Sequence, residues 1–190
     1  MNDAPEVSPQ APDARTPSPR RRWLLIAAGG LAALGGAGVA GWRLRLSAPE
    51  SDAVSGLWSQ RFARPEGGEL VLAPMRGRPL LVNFWATWCP PCVEELPLLD
   101  AFYRQQAPNG WQVIGLAVDQ ADAVRAFLAR QPLAFPVGLA GVAGLELGKS
   151  LGNLAGGLPF TVVFGRDGGV VQRKMGKVTP EELQAWGGLR

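Results

Sequence analysis

The sequence predicts an α/β domain on a sheet of mixed strand direction, carried behind one hydrophobic span. Three observations lead there. Near-continuous apolar runs at Pro79–Ala86 and Trp111–Val118 alternate with stripes at helical spacing. Two Gly-rich turns each sit between short apolar segments. Twenty consecutive residues, Trp23 to Trp42, carry no charge.

Residues 1–22 begin with a stretch rich in Pro, Ala, Ser and Asp and end in Arg20, Arg21 and Arg22. Such a segment buries too little apolar surface to offset the entropy of ordering, so a disordered cytoplasmic tail is expected. The run 23–42 has the length needed to cross a bilayer core, with Trp at each interface. The Arg triplet outweighs Arg43 and Arg45, which places the N-terminus inside the cell and exports the rest. Six Gly and six Ala make the span weakly hydrophobic. A retained anchor and a signal cleaved after Gly38-Val39-Ala40 are the two readings, the anchor being favoured. Residues 43–56 read as a linker, and 57–190 as the folded domain.

Within 57–190, Leu57–Phe62 and Glu69–Leu72 flank a turn at Arg64–Gly68 and predict a hairpin. Pro79–Ala86 predicts a strand buried on both faces. Val93, Leu96, Leu99 and Tyr103 place a helix over Val93–Gln106. Trp111–Val118 is a second buried strand and Ala121–Arg130 a second helix. Phe135–Leu139 and Val142–Leu151 add an extra strand and helix. Phe160–Phe164 and Val170–Lys174 flank Gly165–Gly169, a second hairpin. Thr179, followed by Pro180, Glu181 and Glu182, caps a last helix.

The 190 residues are 47% hydrophobic, enough for one core. The net charge of +3 suggests nucleic acid until the charges are located. Residues 1–45 hold six Arg against Asp3, Glu6 and Asp13, which leaves 13 basic and 13 acidic residues in 46–190. The domain is balanced, so no nucleic-acid partner is expected. There is no His, which excludes His triads and His metal sites. With two Cys in all, no four-cysteine metal shell forms, and neither metal nor cofactor is expected.

Those two cysteines lie in Asn83-Phe84-Trp85-Ala86-Thr87-Trp88-Cys89-Pro90-Pro91-Cys92, where a buried strand gives way to a helix. Cys89 falls at the helix start, where free amides and the macrodipole favour a thiolate, the nucleophile of disulfide exchange. Cys92 lies one turn deeper on the same face and can resolve a mixed disulfide. Pro90 and Pro91 fix φ and remove two amide hydrogens, leaving that of Cys92 to solvate the Cys89 sulfur. A less acidic Cys89 and reductive work follow. Trp85 reads as core and Trp88 as rim.

This stretch resembles a thioredoxin-fold active site. Residues 57–190 resemble the TlpA/ResA-like thiol-disulfide oxidoreductases, which are exported or membrane-anchored. The resemblance rests on Asn83–Ala86, Trp88–Cys92, Glu94-Glu95-Leu96-Pro97, Gly157-Leu158-Pro159 and the extra βα segment near 135–151. It implies a thioredoxin-like α/β fold with an N-terminal hairpin extension, behind one transmembrane helix. It implies a cis peptide before Pro159, packed on the disulfide, with the backbone at Leu158 contacting substrate, and a helix kink at Pro97; Trp88, at the rim, is read as a further substrate contact. Asn83 stands where thioredoxin has a buried Asp, and Asn accepts no proton at neutral pH. Glu95, one turn beyond Cys92, matches a carboxylate of the family and is read as the Cys92 proton acceptor. Its alternative is a solvated acid at a helix start. The expected enzyme sits in the inner membrane with its domain in the periplasm. It reduces protein disulfides, such as apocytochrome c or copper-site assembly cysteines, and an upstream membrane thiol donor re-reduces it. A thiol oxidase of the same fold, or a metal chaperone or binding module, is the alternative.

Overall fold

The computed structural model describes residues 50–189, with side chains from Val54 to Leu189. The expected tail, the span 23–42 and the linker before Glu50 lie outside the described residues. Among the described residues no helix is long and apolar enough to cross a membrane.

The first element corrects the sequence reading. Glu50–Trp58 form a helix, α1, where linker and then strand were expected. Ser55 and Gly56 are poor helix formers, but Val54, Leu57 and Trp58 fall on one helical face. Leu57 and Trp58 are buried. The Trp58 indole donates to the Gly168 carbonyl at 3.1 Å and meets Phe164 edge-on. Tertiary packing overrides local propensity here.

The remaining elements follow the predicted order. The first hairpin is β1 (Arg61–Ala63) and β2 (Glu69–Val71). Then come β3 (Leu80–Trp85), α2 (Pro90–Gln106), β4 (Gln112–Ala117) and α3 (Ala121–Arg130). The extra unit is β5 (Val137–Leu139) and α4 (Ala143–Ser150). The second hairpin, β6 (Phe160–Phe164) and β7 (Val170–Met175), leads to α5 (Pro180–Gly187). Thr179 caps α5 with a reciprocal capping box involving Glu182.

The seven strands form one sheet in the order β2-β1-β5-β4-β3-β6-β7. β3, β4 and β5 are mutually parallel, and the other pairings are antiparallel. The three parallel strands therefore end on one edge, the usual place for a site in such sheets. β3 and β4 are buried throughout, as their unbroken apolar runs require. Alternation along β3 divides two cores. Leu81 and Trp85 face α2, α3 and α5, whereas Leu80, Val82 and Phe84 face the side that α1 and α4 cover. This is a three-layer thioredoxin-like α/β arrangement with the hairpin and βα additions the sequence implied.

Where the hairpin meets β5, a missing side chain is required. A Cβ on Gly138 would lie 2.8 Å from the Phe62 Cβ and 3.1 Å from both Leu70 and Leu116. Gly138→Ala should cost about 1–3 kcal/mol by overpacking, seen as a lower midpoint in denaturant unfolding.

Candidate active site

β3 delivers the chain to the reactive pair, and a polar clamp fixes the exit. The Thr87 amide and hydroxyl donate to the Asp119 carboxylate at 2.8 and 2.5 Å. Partial burial pushes the Asp119 pKa up, but the bonds from Thr87 and Gln120 outweigh it and hold the group below its ordinary value. Asp119 follows β4, so the clamp joins the ends of two parallel strands. Trp85 is fully buried against Phe127, whereas Trp88 is 65% exposed, as the sequence reading had them.

Cys89 is the N-cap of α2, with Pro90 and Pro91 opening the helix. Cys89 and Cys92 form a disulfide with Cα atoms 5.3 Å apart. Cys89 is 5% exposed and Cys92 not at all. The first-turn amides are spoken for. Those of Cys92 and Val93 both donate to the Cys89 carbonyl at 3.1 Å, and the prolines have none.

α2 buries Cys92, Glu95, Leu96, Leu99 and Phe102, a stripe centred slightly away from the expected one. Val93 and Tyr103 pack at its margin. Glu95 thus points inward. Its Oε1 accepts from Asn83 Nδ2 at 2.7 Å and its Oε2 from the Val178 amide at 2.8 Å. Burial raises its pKa from 4.5 to about 7, against the lowering effect of Val178, Asn83 and the Lys177 charge. Asn83 is wholly buried, and its Nδ2 also donates to Thr161 Oγ1 at 3.0 Å. Glu94 is exposed and pairs with Lys177 at 2.9 Å.

The peptide between Leu158 and Pro159 is cis, as the resemblance implied. Pro159 is buried. Leu158 packs against the core that contains both cysteines. The Gly176 amide donates to the Pro159 carbonyl at 2.9 Å. Three residues, Gly176 to Val178, therefore hold both the cis-proline segment and Glu95. Asn153 steadies the approach by donating to the Gly157 carbonyl at 2.8 Å. On β7, Lys174 pairs with Glu182 at 2.6 Å and Arg173 donates to the Leu151 carbonyl at 2.6 Å.

Sequence reasoning missed Thr161, Val178 and Asp119. A signal for Thr161 existed. Asn83 and Thr161 are the polar members of two otherwise apolar buried strands, and the register sets them opposite each other. Val178 acts through its backbone, which no side-chain pattern reveals.

Because the folded state holds the Glu95 proton more tightly than the unfolded chain, its contribution to stability is complete below pH 4.5. It declines as pH rises and is gone above about 7. The unfolding free energy of the oxidised wild type, relative to Glu95→Gln, should fall by about 3 kcal/mol across that interval. Denaturant titrations at a series of pH values check it. A constant difference would contradict the buried carboxyl.

The Redoxin family model matches residues 54–185. Thiol-disulfide oxidoreductase ResA of Bacillus thuringiensis subsp. konkukian is 34% identical over 122 residues, 64% of this chain and 68% of the relative. A thiol:disulfide interchange protein of the thioredoxin family from Chlorobium tepidum aligns with a TM-score of 0.59 at 27% identity, covering 67% of this chain and 90% of that one. StoA from Bacillus subtilis aligns with a TM-score of 0.55 at 25% identity, covering 67% and 94%. The chain belongs to the Redoxin family, and its Cys89–Cys92 pair is that of a thiol-disulfide oxidoreductase of the ResA and StoA type.

Proposed function

We propose that the protein is an extracytoplasmic reductase of protein disulfides, held at the inner membrane by residues 23–42 with its domain in the periplasm. The observation that carries the reductive direction is the first turn of α2. Strongly oxidising relatives of this fold depend on a low-pKa outer cysteine, stabilised by free amides at a helix start. Here two prolines remove amides, and the next two donate to the Cys89 carbonyl. The Cys89 thiolate has few donors to lean on, so the disulfide form is favoured and the dithiol gives up its electrons readily.

In the cycle, the Cys89 thiolate attacks a substrate disulfide and releases one substrate thiolate. Cys92 then passes its proton to Glu95, attacks the Cys89 sulfur as a thiolate and releases the second substrate thiolate. Two electrons leave the dithiol and the Cys89–Cys92 disulfide forms. Asn83 orients Glu95 from below. Trp88, Leu158 and the segment before Pro159 meet the substrate chain. Suitable substrates are apocytochrome c or copper-site assembly cysteines, and a membrane thiol donor restores the dithiol in an oxidising compartment.

Insulin reduction should be present in the wild type and absent in Cys89→Ser, while Cys92→Ser should accumulate mixed disulfides with its natural substrates. A wild type inert toward insulin would sink the reductase reading. A second measurement tests the direction. Alkylation of Cys89 across pH should give a pKa well above about 5, and a value near 3.5 would assign the protein to the oxidising side.

A further inference from the structure

We propose that the Asn83 carboxamide, set by Thr161, turns over with the charge of Glu95, so that the buried carboxyl keeps a hydrogen-bond partner whether it holds a proton or not. The proposal rests on the reading of Glu95 as the proton acceptor of Cys92, and adds to it two positioning residues.

The geometry begins with an imbalance. Asn83 Nδ2 donates to Glu95 Oε1 and to Thr161 Oγ1, while its Oδ1 is buried and has no partner. This orientation serves the carboxylate, since both Glu95 oxygens then accept N–H donors, one from Asn83 and one from Val178. It does not serve the neutral acid, whose new O–H needs an acceptor. The Val178 amide is backbone and cannot exchange donor for acceptor. A carboxamide can, by a half-turn about its last side-chain bond. Thr161 makes the turn feasible, because a hydroxyl accepts from Nδ2 in one state and donates to Oδ1 in the other.

When Cys92 S–H loses its proton to Glu95, the sulfur becomes a thiolate and the carboxylate a carboxylic acid. The turned amide then accepts from the Glu95 O–H and from the Thr161 O–H through Oδ1. It trades an unpartnered acceptor for an unpartnered donor. Neither state is fully satisfied, so the two differ little in free energy and the Glu95 charge decides between them. The other charges near Glu95 are few. Lys177, beside Val178, is already paired with Glu94, and its charge favours the carboxylate. Cys92 and Glu94 lie on the same helix as Glu95, whereas β3 and β6 present the neutral Asn83 and Thr161. A Glu95 pKa near 7 places both states within reach of ordinary conditions.

The test uses the full-length oxidised protein, with Glu95 followed by its side-chain carboxyl 13C signal and Asn83 by its carboxamide protons. Above the Glu95 midpoint those protons should show through-space contact with the Thr161 side chain, and below it that contact should vanish. In the charged state Thr161→Val strands one of the two Nδ2 hydrogens, the other still bonded to Glu95, whereas in the neutral state Oδ1 is a single acceptor still served by the Glu95 O–H and no further hydrogen is stranded. The Glu95 midpoint should therefore rise by about half to one pH unit, and Thr161→Ser should restore it. A fixed amide loses the same bond in both states and predicts no rise. An unchanged midpoint, or a Thr161 contact that persists on both sides of it, overturns the proposal. Should the Val variant not fold, the wild-type contacts decide alone. Alkylation of reduced Glu95→Gln separates the underlying reading. If its Cys92 profile matches wild type while the amide still turns, Glu95 is not the acceptor. If the profile changes while the wild-type amide stays fixed, the relay alone is wrong.

Discussion

The Glu95 carboxyl is the constraint around which the site is arranged. A carboxyl taken out of water costs several kcal/mol unless hydrogen bonds replace hydration. Its two oxygens are served from two distant parts of the chain, the middle of β3 and the loop after β7. The helix that carries it also carries both cysteines. Satisfying Glu95 therefore fixes how deep and at what rotation α2 sits on the sheet. The same loop, through Gly176, holds the Pro159 carbonyl. One buried group thus ties the disulfide helix, the central strand and the cis-proline segment into a single unit.

The sheet supplies what this arrangement needs. Three parallel strands end on one edge, and the clamp of Thr87 on Asp119 fastens two of those ends together. Chain entering α2 from β3 has little freedom, so the helix start, and Cys89 with it, is well placed. Cys89 and Cys92 belong to the core on the α2 side of the sheet. Within that core Cys92 is sealed and Cys89 keeps a small exposure, so Cys89 is the one of the pair that a partner can approach.

Much of this was legible in the sequence. Buried parallel strands announce themselves as unbroken apolar runs, and β3, β4 and α3 lie where those runs and stripes put them. The hairpin turns and the Thr179 cap were legible for the same reason, because turn and cap chemistry is local. The helix α1 was not. Its stripe is short, with Ser55 and Gly56 inside it, and its stability comes from Leu57 and Trp58 docking on strands far along the chain. The site divided in the same way. Cys89, Cys92, Asn83 and Glu95 could be named because their chemistry is in their side chains. The partner of Glu95 at Val178 is a backbone amide brought in by tertiary structure. Thr161 becomes meaningful only once the register pairs it with Asn83.

On the proposed function the two cysteines are adjusted by separate means, and that separation accounts for the oddest local feature of the chain. A proline pair at the start of a helix weakens the anion-stabilising power that a helix start normally offers, because much of that power resides in unpaired amides. The effect falls on Cys89, the N-cap, and stops within a turn. Cys92 is fully buried and gains nothing from the helix start in any case. In the proposed cycle it hands its proton to Glu95, and an Asp in the Asn83 position would put a second carboxyl against that acceptor. Two buried carboxyls in hydrogen-bond contact cannot both ionise, and one would be held neutral at high pKa. An amide there supports a single carboxyl without competing for its proton. On this reading Asn83 is not a weakened aspartate. It is the residue that lets one acid do the proton chemistry alone, while Pro90 and Pro91 set the other sulfur independently.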